Sequence, residues 1–184
     1  MRVFLALDLS EEQRKGLGNL QKKLKKDFNG VKWVEGANMH VTLKFLGEIE
    51  ENEVDAICSI LENNVKSYLP FLLSLKGMGF FPKISKPRII WVGVEEGKNY
   101  VTNIWKDIEM SLHEKGYPLA DKNFTPHVTL GRIRRVEKKV PTTKWLNEYH
   151  DFSLPPTEIN YLTVYNSTLQ PQGAVYTPLN KIYF

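Results

Sequence analysis

Two histidines and two threonines are the residues of this sequence whose types and spacing could do chemistry together. The tetrapeptide HVTL occurs twice, beginning at His40 and at His127, 87 residues apart (127 − 40). The chain has only 4 histidines, so half of them open these copies. Because side chains alternate between the faces of a strand, His40 and Thr42 are predicted on one face of a first strand. His127 and Thr129 share one face of a second strand for the same reason.

Apolar residues occupy the alternate positions of both copies. We expect Val41, Leu43 and Phe45 to lie on the opposite face of the first strand and to anchor it to a core. Val128 and Leu130 anchor the second strand in the same way. Two related lobes would then direct the histidine and threonine faces toward each other across a cleft.

Such a cleft suits an anionic ligand. Two imidazoles can serve as a general base and a general acid, because histidine changes charge near neutral pH. Two threonine hydroxyls can donate hydrogen bonds to an anion between them. Neither copy contains a carboxylate, which would repel that anion. The arrangement fits a phosphodiester that is attacked from one side while an oxygen leaves from the other. A single histidine of this kind is more typical of a structural strand residue, and the duplicated pair carries the functional interpretation.

Basic residues follow the second copy. Strict alternation would put Arg132 on the face opposite His127, but a bulge at Gly131 could bring it back to the histidine face. There the guanidinium could bind a phosphate. The alternative is a solvated basic loop, which would include Arg134, Arg135, Lys138 and Lys139.

The elements around the motifs also recur. RVFLAL begins at Arg2 and RIIWVGV at Arg88, an offset of 86 (88 − 2), and a helix and then an HVTL strand follow each. The first helix is predicted after Ser10, with Gln13 completing a capping box, and the second ends at Gly116. We therefore predict two structurally related lobes within one domain over residues 1–184. The segment 82–88, PKISKPR, is the expected crossover between them.

Composition bounds the class of protein. The 25 lysines and arginines against 21 acidic residues give a net charge of +4, which is compatible with a polyanionic partner. Cys58 is the only cysteine, so a disulfide framework and a thiolate zinc cluster are not expected. No apolar run is long enough for a membrane span, and the N-terminus does not resemble a signal peptide. We expect a cytoplasmic, monomeric protein without a membrane partner.

At HVTLKFLGE and PHVTLGR the sequence resembles the two-histidine phosphoesterase superfamily. It is most similar there to the RNA 2′,3′-cyclic phosphodiesterases, also called 2′-5′ RNA ligases. The opening RVFLAL, the RIIWVGV strand and the closing Asn166-Ser167-Thr168-Leu169 with Tyr176 also fit. The resemblance implies an α+β fold of two lobes, each an antiparallel sheet facing a central groove with helices outside.

The resemblance also implies the activity: hydrolysis of RNA 2′,3′-cyclic phosphate ends to 2′-phosphates, with no metal and no other cofactor. His40 would be the proton donor to the departing 3′ oxygen, and His127 the proton acceptor from water. Thr42, Thr129 and Arg132 would bind the phosphate. The partners would be RNA ends, either tRNA-like or short oligonucleotides. Ligation to a 2′,5′ linkage would follow if an RNA hydroxyl replaced water.

Two other functions compete with this interpretation. A non-catalytic module could bind RNA or nucleotides in the same groove, in which case replacing His127 would leave turnover of a cyclic phosphate unchanged. A zinc site would need three or four ligands, and the two motifs supply only two obvious ones. Loss of activity on chelation would favour zinc.

Overall fold

The computed structural model describes residues 1–121, 123–134, 140–171 and 173–184. In these ranges the strands are β1 (Arg2–Asp8), β2 (Val31–Trp33), β3 (His40–Glu48), β4 (Phe71–Lys83), β5 (Lys86–Val94), β6 (His127–Ile133), β7 (Ser153–Ile159), β8 (Tyr161–Gln170) and β9 (Gly173–Tyr183). The helices are α1 (Glu11–Asp27), α2 (Val54–Val65), α3 (Lys98–His113) and α4 (Thr142–Tyr149). None of these helices is long and apolar enough to cross a membrane.

The strands form one curled antiparallel sheet in the order β7-β4-β5-β6-β3-β1-β8-β9. A single residue pair, Val41 with Val128, joins β3 to β6 at its middle. Beyond that pair β3 leaves β6, and β2 takes its place beside residues 131–133 of β6. The two halves of the sheet therefore diverge from the junction, and we call the face of the curled sheet that carries the two HVTL histidines the groove.

Two helices pack on strands that are distant in sequence: α1 packs on β6 and β7, and α3 packs on β3. In α1, the Gln21 amide donates hydrogen bonds to the carbonyls of Val34 and Leu130, and Gly16 packs against Leu154 of β7. In α3, Glu109 pairs with Lys44 of β3 at 2.6 Å. Because these contacts come from the core side of the sheet, the groove side stays open.

The predicted α+β fold with an antiparallel sheet and outer helices is confirmed. Ser10 caps α1 by accepting a hydrogen bond from the Gln13 amide nitrogen, as predicted. The Gln13 side chain does not close the capping box, because it donates to the carbonyls of Leu73 and Pro155. It thus ties α1 to β4 and β7.

The segment 82–88 has a different role from the expected one. It forms the tip of the β4–β5 hairpin, with Lys83 paired to Lys86, so it connects two neighbours in the same half of the sheet. The chain passes from the side of the sheet with β1 and β3 to the side with β4 and β5 earlier, in residues 66–70 between α2 and β4. Cys58 is buried in the core, as predicted.

Candidate active site

The two HVTL copies meet at the junction of the sheet. The Val41–Val128 pair is antiparallel, so continuing its register by one residue sets His40 opposite Thr129 and His127 opposite Thr42. Val41 and Val128 are fully buried beneath the junction. The two histidines and two threonines are half-buried and share the groove face, as the alternation predicts.

A β-bulge lies at the last residue of each motif, Leu43 in β3 and Leu130 in β6. Trp91 pairs with Thr129, but the next pair along is Ile90 with Gly131, so one residue of β6 has no partner. Beyond the bulge Arg132 pairs with Ile89, which shares a face with Trp91 two residues away. Arg132 therefore returns to the face of His127 and Thr129, where its side chain is exposed.

The same bulge in β3 corrects one expectation. Ala6 pairs with Thr42 and Leu5 with Lys44, which shifts the alternation after Leu43. Phe45 consequently lies on the histidine face, not on the opposite face, and 64% of it is exposed. Lys44 lies on the core side instead and is buried. Strict alternation failed here because the pairing of β1 with β3 inserts one extra residue.

His127 is held by the backbone just before its strand. Its Nδ1 lies 2.6 Å from the Thr125 carbonyl oxygen, so Nδ1–H is the donor and Nε2 carries the free lone pair in the neutral ring. The ring packs against Phe81 and Trp91, with centroids 5.0 and 5.9 Å away. Burial lowers the pKa of His127; the Thr125 hydrogen bond opposes this shift, and the charge of Arg132 adds to it.

His40 has matching surroundings. Its ring lies 4.9 Å from the Phe4 ring and 5.4 Å from the Tyr176 ring, centroid to centroid. Burial is the main cause that lowers the pKa of His40 to about 4. A hydrogen bond with the Asn38 backbone and the charge of Asp8 act in the opposite direction. Burial thus lowers the pKa of both histidines, and both rings are neutral in the free protein at neutral pH.

A carboxylate network lies beside His40, and the sequence analysis assigned it no role. Asp8 is the cross-strand partner of His40 and accepts hydrogen bonds from the Tyr165 hydroxyl at 2.6 Å and the Thr163 hydroxyl at 2.8 Å. The Arg14 guanidinium lies 3.9 Å from the Asp8 oxygen that accepts the Tyr165 hydrogen bond. Asp8 and Tyr165 are 157 residues apart, so nothing local in the sequence could have joined them.

The aromatic residues against the histidines did have a detectable signal. Phe4 precedes His40 by 36 residues (40 − 4), and Trp91 precedes His127 by 36 residues (127 − 91). Aligning the two copies on their histidines would therefore have paired these two rings.

Not every aromatic ring of the chain faces a histidine. Phe124 stacks on Trp105 at 4.8 Å, and Trp33 lies under Lys25, so neither faces a histidine as Phe81 does. Arg134 is exposed just after β6, whereas the predicted basic residues Arg135, Lys138 and Lys139 lie outside the described residues. In the described ranges, no group of three or more His, Cys, Asp or Glu side chains is placed to hold a metal ion.

The chain is similar to known proteins over its whole length. A family model described as LigT like Phosphoesterase matches residues 7–91 and again residues 92–176. A Thermotoga maritima protein named RNA 2′,3′-cyclic phosphodiesterase is 34% identical over 186 residues, which cover 100% of this chain and 96% of that protein. A protein of the same name from Aquifex aeolicus is also 34% identical, over 100% of this chain and 97% of its own length. The crystal structure of a Thermus thermophilus protein, TT0787, superimposes with a TM-score of 0.84 at 28% identity, covering 100% of this chain and 97% of that one.

Proposed function

The chain belongs to the LigT-like phosphoesterase family, as the resemblance predicts, and we propose that it hydrolyses RNA 2′,3′-cyclic phosphate ends to 2′-phosphates. One observation carries this proposal: two His-x-Thr pairs share the groove face of adjoining strands. Because its relatives are named RNA 2′,3′-cyclic phosphodiesterases, we assign the chain to the hydrolases of that type.

His127 is the proton acceptor in this mechanism. The Thr125 carbonyl fixes the proton on Nδ1, so Nε2 can take a proton from water as the water oxygen attacks phosphorus. The lowered pKa of His127 keeps the ring neutral for this role. Arg132 supports the assignment, because a nearby cation disfavours a second positive charge on the imidazole before the water loses its proton.

His40 is the proton donor. As the bond from phosphorus to the 3′ oxygen breaks, that oxygen takes the proton of the His40 imidazolium, which leaves a 3′ hydroxyl and a 2′-phosphate. The donor must be charged, and burial alone opposes this in the free protein. Two negative charges offset that cost: Asp8 in the adjoining strand and the phosphate of the bound substrate.

The phosphate itself is held by neutral and cationic donors. The hydroxyls of Thr42 and Thr129 share the groove face with the two histidines, where both can donate to the nonbridging oxygens. Arg132 adds charge from the same face of β6. The reaction needs no metal ion or organic cofactor, because the two imidazoles perform both proton transfers.

The biological substrate in this proposal is an RNA end, either tRNA-like or a short oligonucleotide, met by a monomer in the cytoplasm. The same groove supports 2′-5′ ligation when an RNA hydroxyl occupies the place of the attacking water. Offering the enzyme a second RNA with a free hydroxyl end, and measuring joined product against hydrolysed product, separates the two reactions.

The decisive experiment incubates the protein, with EDTA present, with a short RNA that ends in a 2′,3′-cyclic phosphate. We expect a 2′-phosphate end, formed by the wild type and lost in both His40→Ala and His127→Ala. His150→Ala is the matched control, because His150 is exposed and contacts only Asp151 among the described ion pairs. Its activity should equal that of the wild type.

Other outcomes discriminate among the alternatives. A 3′-phosphate product would keep the chemistry but exchange the leaving oxygen, and with it the roles of His40 and His127. Activity that disappears with EDTA would favour a metal site. Tight binding of the RNA without turnover, unchanged by His127→Ala, would favour the non-catalytic binding module.

A further inference from the structure

A lysine outside the two motifs shares the groove face with Arg132. Lys32 of β2 is the direct cross-strand partner of Arg132, and cross-strand partners lie on the same face of a sheet. The neighbours of Lys32 lie on the opposite face: Val31 and Trp33 approach the position that a Cβ atom on Gly131 would occupy, at 2.5 and 3.1 Å. Lys32 and Arg132 therefore project together into the groove.

This placement is unfavourable unless an anion is present. Like charges directly opposite one another destabilise a sheet. Neither Lys32 nor Arg132 forms an ion pair with a carboxylate in the described parts of the chain. Both side chains are exposed, and the Lys32 ammonium lies 3.9 Å from the Cβ position of Gly173, at the start of β9. The two cations thus flank a space between β6 and the end of the β8–β9 hairpin.

The position of this space relative to the threonines indicates what it binds. Thr129 and Arg132 pair with Trp91 and Ile89, two residues apart on β5, so they are separated by roughly 7 Å along the strand. With Thr42, Thr129 and Arg132 on the terminal phosphate, the Lys32 ammonium beside Arg132 is placed to bind the next negative charge along the same chain.

We propose that Lys32, which lies beside Arg132, binds the phosphodiester that precedes the terminal nucleotide. This inference rests on the proposed function and specifies its substrate: an oligonucleotide end with at least one internal phosphate, in preference to a cyclic mononucleotide. Lys32 is a specificity-determining residue, and it takes no part in either proton transfer.

The test compares two substrates, adenosine 2′,3′-cyclic phosphate and an RNA trinucleotide that ends in the same cyclic phosphate. We expect the wild type to prefer the trinucleotide in kcat/KM, and Lys32→Ala to reduce this preference about tenfold, within the range of one charge-assisted contact. In Lys32→Ala, the negative slope of log kcat/KM against log salt should become shallower by about 0.7 for the trinucleotide. Lys32→Arg should restore most of the preference. Lys106→Ala, which removes an exposed charge from α3, is the control and should change nothing.

If the wild type hydrolyses both substrates and Lys32→Ala prefers the trinucleotide as strongly as the wild type does, this inference is overturned and the proposed function stands. An equal effect of Lys106→Ala would also overturn it, because the loss would then reflect net charge. If the wild type hydrolysed neither substrate, the proposed function would fail. Equilibrium binding of the trinucleotide to wild type and Lys32→Ala, measured by fluorescence anisotropy, would still decide the role of Lys32.

Discussion

The two copies of the motif, HVTLKF over residues 40–45 and HVTLGR over residues 127–132, show which features of this molecule are duplicated and which are not. Along both stretches the first and third residues are half-buried, the second and fourth are buried, the fifth is also buried, and the sixth is exposed. Two consecutive buried residues mark the bulge in each strand, and the register shifts with β1 and β5 agree. The bulge is therefore part of the duplicated design.

The copies differ only at their fifth and sixth residues. At the fifth, Gly131 leaves room for β2 against β6, whereas Lys44 reaches Glu109 of α3 and the Pro118 carbonyl. At the sixth, Arg132 contributes a cation to the groove, whereas Phe45 contributes an aromatic ring. Because β3 and β6 are antiparallel, these two side chains lie toward opposite ends of the groove.

This difference gives a nearly symmetric pair of histidines a direction. The shared residues can run the proton transfers in either sense. We propose that the cation at one end of the groove and the exposed ring at the other distinguish the charged backbone of an RNA from its bases. In this proposal, residues outside the repeated tetrapeptide set the orientation of the substrate, and with it which histidine is the donor and which the acceptor.

The largest expected effect tests the shared part of the comparison. Replacing His40 or His127 by alanine should lower kcat by about 10² to 10⁴, the range of a positioned acid or base. Because the two rings act in one step, the double variant should be little slower than the slower single variant. Rapid-quench measurement of cyclic phosphate turnover checks this result. Strictly multiplicative losses would mean that the two histidines act in separate steps.

The second prediction concerns the fifth position. Lys44→Ala should lower the free energy of unfolding by about 3–5 kcal/mol, because Glu109 would be left buried without its partner. Replacing both residues, Lys44→Met with Glu109→Leu, should recover most of that loss. Urea unfolding followed by circular dichroism measures both variants.

The control for this prediction is Lys144→Ala. Lys144 also lies 2.7 Å from a carboxylate, that of Asp27, but it is half-exposed to solvent. Its loss should be much smaller than that of Lys44. Equal losses at Lys44 and Lys144 would show that burial of the Lys44–Glu109 pair is not what matters.

Much of this comparison could be predicted from sequence, and the part that could not has a physical reason. The spacing of the two tetrapeptides and alternation within them predicted the shared face of His40, Thr42, His127 and Thr129. Alternation failed at Phe45, because a bulge depends on how a neighbouring strand pairs and leaves no mark in the strand's own pattern. Residues 31–33 form β2, and three residues are too few to show the period of a strand in the sequence.

The third prediction tests the two different side chains at the sixth positions, Arg132 and Phe45. Arg132→Ala should lower kcat/KM about 10- to 100-fold, with a flatter salt dependence, because a charge-assisted contact to phosphate is lost. Phe45→Ala should lower kcat/KM by a smaller factor at any salt concentration, mainly for purine ends, because base stacking is lost. Phe45→Trp should keep the stacking and serves as the control. An effect of Phe45→Ala that is equal for all terminal bases would show that Phe45 does not stack on the terminal base.

The smallest effect is a displacement along the pH axis. The pKa of His40 is lowered to about 4, and that of His127 lies below its usual 6.5, so the pair in the free enzyme holds one proton only at acidic pH. Below this window both rings are charged and the base is lost; above it both are neutral and the acid is lost. The profile of kcat/KM should therefore be bell-shaped with its maximum below pH 6.5. The profile of kcat should lie at higher pH, because the bound phosphate raises the pKa of His40. Initial rates across roughly pH 4 to 9, at limiting and at saturating RNA, measure the two profiles, and a kcat/KM that rises steadily to the alkaline limit would replace the two-histidine mechanism with attack by hydroxide.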